Sequence, residues 1–358
     1  MSDVNRVSDV NTASDVNAAN PVRGPWFDEL EVGAVFDQAP PVTITEGMAA
    51  LHHGIVGNRL RLALDHGLAA AVTGTPGLVS PALVWDVSIG QSTGATQKVR
   101  ANLFYRNLRF LRFPHLGDTL RTVTTVDALR GNTPKPGRPR TGMAALHIVT
   151  TDQDDNPVLD YWRCAMLPAS PGHEGDLPTD DLSTIGVVAE PSELTTAIAD
   201  WDLASYRASL PPAAGVEVGQ VWEVDGADVV SSAPELARLT GNLAAVHHDA
   251  HRAGGRRLVY GGHTIGLALH HLTRALPSMV TVLAWHSCDH LAPVHEDDAL
   301  TSTVEVTAAR EVTVVGQSLP VRIADVRVVT SAASGASAGA DSVTRTPVLD
   351  WRLSVALP

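Results

Sequence analysis

The sequence predicts an α+β fold built as two similar units, each a curved antiparallel sheet wrapped around one buried helix. The first observation behind this is a faint internal repeat. EVGAVFD from Glu31 resembles EVGQVWEV from Glu217, and FPHLGDTLRTVTTV from Phe113 resembles LAPVHEDDALTSTVEV from Leu291. NPVLDYWRCAML from Asn156 then resembles TPVLDWRLSVAL from Thr346, so three matches recur in one order. The second observation is period-two alternation in LRTVTTV, MAALHIVT, LTSTVEVTA and VRIADVRVVT, which marks antiparallel strands. The third is IGLALHHLTRAL from Ile265, which is apolar around much of its circumference and so reads as a buried helix.

The elements follow in order. SDVN occurs at Ser2, Ser8 and Ser14, a spacing that fits neither helix nor strand burial, so residues 1–22 read as a disordered tail. The first unit spans 23–167. It opens with a short strand near the EVGAVFD glycine, then an alanine-rich helical stretch from Thr45 to Asp65. An apolar segment from Leu78 to Gly90 comes next, then the strands. A linker covers 168–214: Pro168 to Glu190 is rich in Pro, Gly and Asp, and a helical or extended segment runs through Asp200 and Tyr206 to the Pro211-Pro212 stop. The second unit, 215–358, repeats the order with Ile265 to Leu276 as its apolar segment. SAASGASAGADS reads as a mobile loop between its last strands.

Composition narrows the function. Hydrophobic residues make up 44% of the 358 positions and charged residues 18%, a globular balance with ample core material. A formal charge of -13 repels phosphate backbones and anionic lipid, which argues against nucleic acid and membrane partners. A small local basic patch still suffices for one phosphorylated ligand. The two cysteines, Cys164 and Cys288, form no disulfide framework, and the first residues lack the apolar stretch of a signal peptide. A soluble, cytoplasmic protein is expected.

Chemistry concentrates in LTGNLAAVHHDAHRAGGRRLVYGGHT, Leu239 to Thr264. His247 is the natural proton carrier, since its reference pKa near 6.5 places both forms within reach. Asn242 can hydrogen-bond but cannot exchange a proton. Five residues apart, the two point about 140° apart on a regular helix, so a shared pocket requires the helix to end there. Asp249 lies two beyond His247, suited to one face of an extended segment. Gly261 and Gly262 precede His263 and the apolar helix; a ligand could approach unpaired helix-start amides there, although a plain tight turn explains the glycines as well. Arg256 and Arg257 suit a phosphate or carboxylate. In AWHSCDH, His286, Cys288 and His290 would share one strand face, but no second ligand cluster supports a metal, and a polar strand bordering the pocket is the stronger reading. In the first unit Asn58 matches Asn242, while Ala63 stands where His247 stands. Only the second unit should move protons.

VTITEGMAALHHGIVGNR, LVSPALVWDVSIG, APELARLTGNLAAVHHDA, GRRLVYGGHTIGLAL and LAWHSCDH together resemble the MaoC-like dehydratases with two hotdog domains, and are similar to their mesaconyl-CoA-hydrating branch. The resemblance covers nearly everything after the tail. It implies a tandem hotdog fold and reversible addition of water to a conjugated coenzyme A thioester, mesaconyl-CoA giving β-methylmalyl-CoA. No cofactor and no metal is implied, coenzyme A being part of the substrate. The hydratase motif of aspartate, asparagine, proline and histidine falls on Asn242, Ala244, Ala245 and His247, so only the histidine survives. By resemblance His247 is the base, Asn242 holds water, and Asp249 orients His247 or serves as an acid. The oxyanion glycine falls on Gly261 or Gly262, with Gly262 preferred. Substrate contacts then fall to Arg257, with Arg256 in reserve, and to Gly261, His263 and His286. The first unit would support the acyl or pantetheine part, and a homodimer of such chains is compatible with the resemblance. Two rivals stay open: a hydratase for another branched or medium-chain enoyl-CoA, and a noncatalytic acyl-CoA-binding protein.

Overall fold

Local chemistry sets the helix boundaries in the first half of the chain. The computed structural model describes residues 22–186, 194–211, 215–314, 320–333 and 345–358. After two short strands, β1 (Val35–Phe36) and β2 (Val42–Thr43), Thr45 caps α1 (Glu46–Val56) by accepting the amide of Met48. α2 (Arg61–Leu64) is followed by α3 (His66–Thr73), which Asp65 caps and Gly74 stops at φ 78°. Pro81 opens α4 (Pro81–Gln91), where its missing amide has no helical partner to lose. All 11 residues of α4 are buried, including Asp86, Ser88 and Gln91, whose side chains are hydrogen-bonded. Four long strands follow: β3 (Ala101–Phe110), β4 (Thr119–Gly131), β5 (Thr141–Thr151) and β6 (Pro157–Pro168).

The connecting segment carries α5 (Leu203–Ala208), capped by Asp202. The second half then repeats the order with β7 (Val221–Glu223), β8 (Asp228–Val229), α6 (Ala233–Leu239), α7 (Gly261–Ala275), β9 (Thr281–His290), β10 (Ala299–Val312), β11 (Val321–Ala333) and β12 (Thr346–Leu357). α7 begins earlier than Ile265, because Gly261 and Gly262 form its first turn instead of preceding it. The SDVN repeats, and the SAASGASAGADS stretch beyond Ala333, lie outside the described residues.

The strands make one sheet in the order β1-β4-β5-β6-β3-β9-β12-β11-β10-β7, with β2 on β4 and β8 on β10. The order mirrors itself about the β3–β9 seam, where Tyr105 pairs with Cys288 and Leu108 with Trp285. The mirrored halves share a bulge, between Val126 and Ala128 in β4 and between Val306 and Ala308 in β10. α4 and α7 lie against each other inside the curve. Each is notched for the other half. A Cβ on Gly90 would lie 1.8 Å from the Thr240 carbonyl oxygen just after α6, and one on Gly266 would lie 2.9 Å from Val56 at the end of α1. These close approaches bring the loop after α6 to the end of α4, which is where the cavity forms.

Candidate active site

α6 stops at Leu239, and Gly241 turns the chain at φ 70°. Asn242 Oδ1 then accepts the Ala244 amide at 2.9 Å. A backbone N–H only donates, so the accepting atom is oxygen, and the Nδ2 donors have no protein partner among the described residues. The chain continues into a 3₁₀ turn, Ala245–His247. Because the helix has already ended, Asn242 and His247 line one cavity despite their spacing.

His247 Nδ1 lies 2.9 Å from the Leu258 carbonyl oxygen. A carbonyl only accepts, so Nδ1 carries the proton and Nε2 keeps its lone pair for the cavity. Burial pushes this imidazole down to about 4, which holds it neutral at pH 7, and the tilted Tyr260 ring at 5.8 Å packs beside it.

The cavity has a volume of about 390 Å³ and draws its walls from both halves. Ile89, Thr96, Tyr105 and Arg163 come from the first half; Asn242, His247, Gly261 and His290 come from the second. His290 Nε2 is buried without a hydrogen-bond partner among the described residues, and burial, with His247 nearby, holds its imidazole down to about 4. A Cβ on Gly261 would lie 2.7 Å from that nitrogen. No side chain caps α7, so its leading amides lack helical partners and present the positive end of the helix dipole. The site thus combines a neutral imidazole acceptor, an amide-rich helix start and an apolar wall. That combination can remove a proton from carbon and hold the resulting oxyanion.

Next to the cavity, and sharing Val99 and Arg100 with it, is a hollow lined by Arg23, Trp26, Lys98 and Arg252. Lys98 Nζ sits 4.5 Å above the Trp26 ring, and burial together with the neighbouring guanidinium of Arg23 lowers its pKa. This is a local basic patch on an acidic protein.

The structure relocates several expected residues. Gly261 borders the cavity, and Gly262 packs its α-carbon on α4, where a Cβ would lie 2.0 Å from Asp86 Oδ1. Asp249 is exposed, accepts the His251 amide, and does not line the cavity. Arg257 pairs with Glu296, and Arg256 is largely exposed near Asp298; neither guanidinium reaches the cavity wall. His263 is fully buried in the core, with neither ring nitrogen partnered among the described residues. His286 is exposed on the other side of β9 and bonds Ser354. Among the described residues no three His, Cys, Asp or Glu side chains converge to hold a metal ion, and no helix is long and apolar enough to cross a membrane. Sequence reasoning missed Tyr105, Arg163, Arg100 and Lys98. Only the repeat carried a signal for Arg163, by setting it against Leu353.

No protein-family model matches the chain. It is 31% identical to the β-methylmalyl-CoA dehydratase of Chloroflexus aurantiacus over 296 residues, 80% of this chain and 82% of the relative. It is 29% identical to the mesaconyl-CoA hydratase of Cereibacter sphaeroides over 299 residues, 79% of this chain and 83% of the relative. Among solved structures it superposes with TM-score 0.85 and 52% identity on a conserved hypothetical protein of Mycobacterium tuberculosis described as having a double hotdog fold, covering 93% of this chain and 98% of that one. A Chloroflexus aurantiacus protein provisionally called a MaoC domain dehydratase gives TM-score 0.75 and 27% identity, covering 95% of this chain and 99% of that one.

Proposed function

The chain belongs to the MaoC-like double-hotdog dehydratases, and from that premise we propose that it interconverts mesaconyl-CoA and β-methylmalyl-CoA. It is an enzyme of the enoyl-CoA hydratase/dehydratase type. In the dehydration direction His247 Nε2 takes the proton alpha to the thioester. The thioester oxygen, gaining charge as an enolate, is held by the leading amides of α7 at Gly261. Asn242 hydrogen-bonds the β-hydroxyl, which leaves as water when the imidazolium returns the proton. Hydration reverses each step. Hydration is redox-neutral overall, so no redox cofactor is required, and with the α7 amides polarising the thioester oxygen no metal is required.

The observation that supports the base assignment is the Nδ1 bond to the Leu258 carbonyl, which dictates the tautomer. Lys98, Arg100 and Arg252, beside an Arg23 already paired with Glu29, would take the phosphates of coenzyme A at the cavity mouth. The first half then supplies most of the coenzyme A patch, while the second half holds the thioester oxygen and moves the proton. We place the reaction in the cytoplasm, where the buried thiols Cys164 and Cys288 stay reduced.

Loss of conjugated-thioester absorbance tests this reading. Mesaconyl-CoA should be hydrated faster than crotonyl-CoA. Faster turnover of crotonyl-CoA would move the assignment to another enoyl-CoA. Tight binding across a panel of enoyl-CoAs with unchanged absorbance would make the chain a binding protein.

A further inference from the structure

We propose that Arg163, with Tyr105 beside it, reads a second, free carboxylate on the acyl group, so that the pocket selects dicarboxylic acyl thioesters. This rests on the hydratase reading and names the residues that decide its substrate class.

Arg163 is only 3% exposed, yet it lines the cavity. Its Nη2 donates to the Ser92 carbonyl and to Thr96 Oγ1, at 3.1 and 2.8 Å. Those two bonds use both hydrogens of Nη2. Nε is buried without a partner, and Nη1 makes no hydrogen bond among the described residues. Four more exposed arginines on this sheet have a carboxylate: Arg106 with Asp289, Arg109 with Asp160, Arg310 with Asp325, Arg327 with Asp350. Arg163 has none among the described residues. A buried cation without a counter-charge is costly. The Ser92 carbonyl beyond α4 offsets part of that cost, which explains why the side chain is tolerated but not why two donors are left over.

Tyr105 supplies the second donor. It pairs in register with Arg163 across β3 and β6, and it also lines the cavity. Its hydroxyl has no protein hydrogen bond among the described residues, and burial pushes the phenol up, so it stays protonated. The mirrored pair in the second half is Trp285 with Leu353, where no polar atom faces the core from the Leu353 position. One half of a duplicated fold thus carries Arg and Tyr at a pair of positions that the other half fills with apolar bulk. The polar pair stands at the cavity that holds His247. Arg257, the cation expected from the sequence, is already neutralised by Glu296.

Calorimetric binding of two saturated thioesters, which cannot be hydrated, tests the assignment apart from catalysis. Wild-type protein should bind methylsuccinyl-CoA about tenfold more tightly than 2-methylbutanoyl-CoA, the value of one charge-assisted hydrogen bond. Arg163→Met should bring the two affinities together, and Tyr105→Phe should narrow the gap. If loss of the Ser92 contact prevents Arg163→Met from folding, Arg163→Gln, a neutral polar side chain, is read by the same ratio. Equal affinities in the wild type overturn the proposal, as does a preference that survives both Arg163 variants. A wild type that prefers the diacid but leaves mesaconyl-CoA unchanged keeps the carboxylate site and ends the substrate reading instead.

Discussion

The two halves of the chain put different contents in matching places. In the second half, His290 stands at the end of β9, opposite Leu349, and borders an open cavity with His247. In the first half, Phe110 occupies the equivalent end of β3, opposite Leu159, and stacks on Phe113 with centroids 4.6 Å apart. Trp201 from the connecting segment packs on Phe113 at 5.1 Å, and Tyr206 from α5 bonds the Met279 carbonyl. Ala63 takes the sequence place of His247. One place keeps space and imidazoles; the other is filled with rings. The mirrored sheet supplies two equivalent frames, and the difference teaches that the fold needs only one of them open. The linker therefore does more than connect, because it fills the space that the unused frame would otherwise leave.

The sharpest way to break this comparison is to unplug the filled half. Trp201 is 4% exposed, and Trp201→Ala should destabilise the protein by about 3–5 kcal/mol through the cavity it leaves. Turnover per folded molecule should hold within about threefold, a change of under 1 kcal/mol in the barrier. Denaturant unfolding alongside kinetics checks both. A large kinetic loss with little change in stability would show that the filled half takes part in the reaction.

The next effect is kinetic. His247→Ala should lower turnover by about 100-fold or more, the scale of general-base catalysis, while leaving the melting temperature close to wild type. In the wild type, activity should fall as acid protonates the base through about 4, well below the ordinary histidine range. Stability has an acid limb of its own. His247, His263 and His290 are each held down to about 4 by burial, so between roughly pH 6.5 and 4 the unfolded chain binds protons that the folded chain refuses. Stability is therefore intact above pH 6.5 and declines as pH falls, by roughly 1.4 kcal/mol per pH unit for each such imidazole. Melting temperatures across that window should drop in the wild type and drop less in His247→Ala. Parallel slopes would mean that the ring is not buried neutral.

Much of the frame was legible because its signals are local. Alternation in LRTVTTV and VRIADVRVVT marks β4 and β11, and the all-round apolar stretches mark α4 and α7. The Asn242–His247 pair was legible too, since the condition for their meeting, an early helix end, follows from geometry. Direction and distance were not. Nothing in the spacing of Asp249, Arg256 and Arg257 says that their loop faces solvent and Glu296. Gly261 and Gly262 are chemically identical, and only the neighbours His290 and Asp86 separate the cavity glycine from the packing glycine. Tyr105 and Arg163 reach the site from the other half across the sheet, a contact no local pattern encodes.

The smallest expected effect concerns the residue that departs from the resembled hydratase motif. Asn242→Asp keeps an oxygen for the Ala244 amide, so the turn that presents His247 should survive with its melting temperature little changed. It replaces the unpartnered Nδ2 donors with a second oxygen and adds negative charge to the wall that His247 shares. An opposite charge favours the imidazolium, so the acid limb of activity should move up by about one pH unit. Turnover at neutral pH should change by only about threefold, since a carboxylate can still accept from the water that the amide held. A much larger loss would show that donation from Asn242 holds the hydroxyl in place. An unmoved acid limb would place the side chain beyond the electrostatic reach of His247, and the two residues would then share a cavity without sharing a reaction.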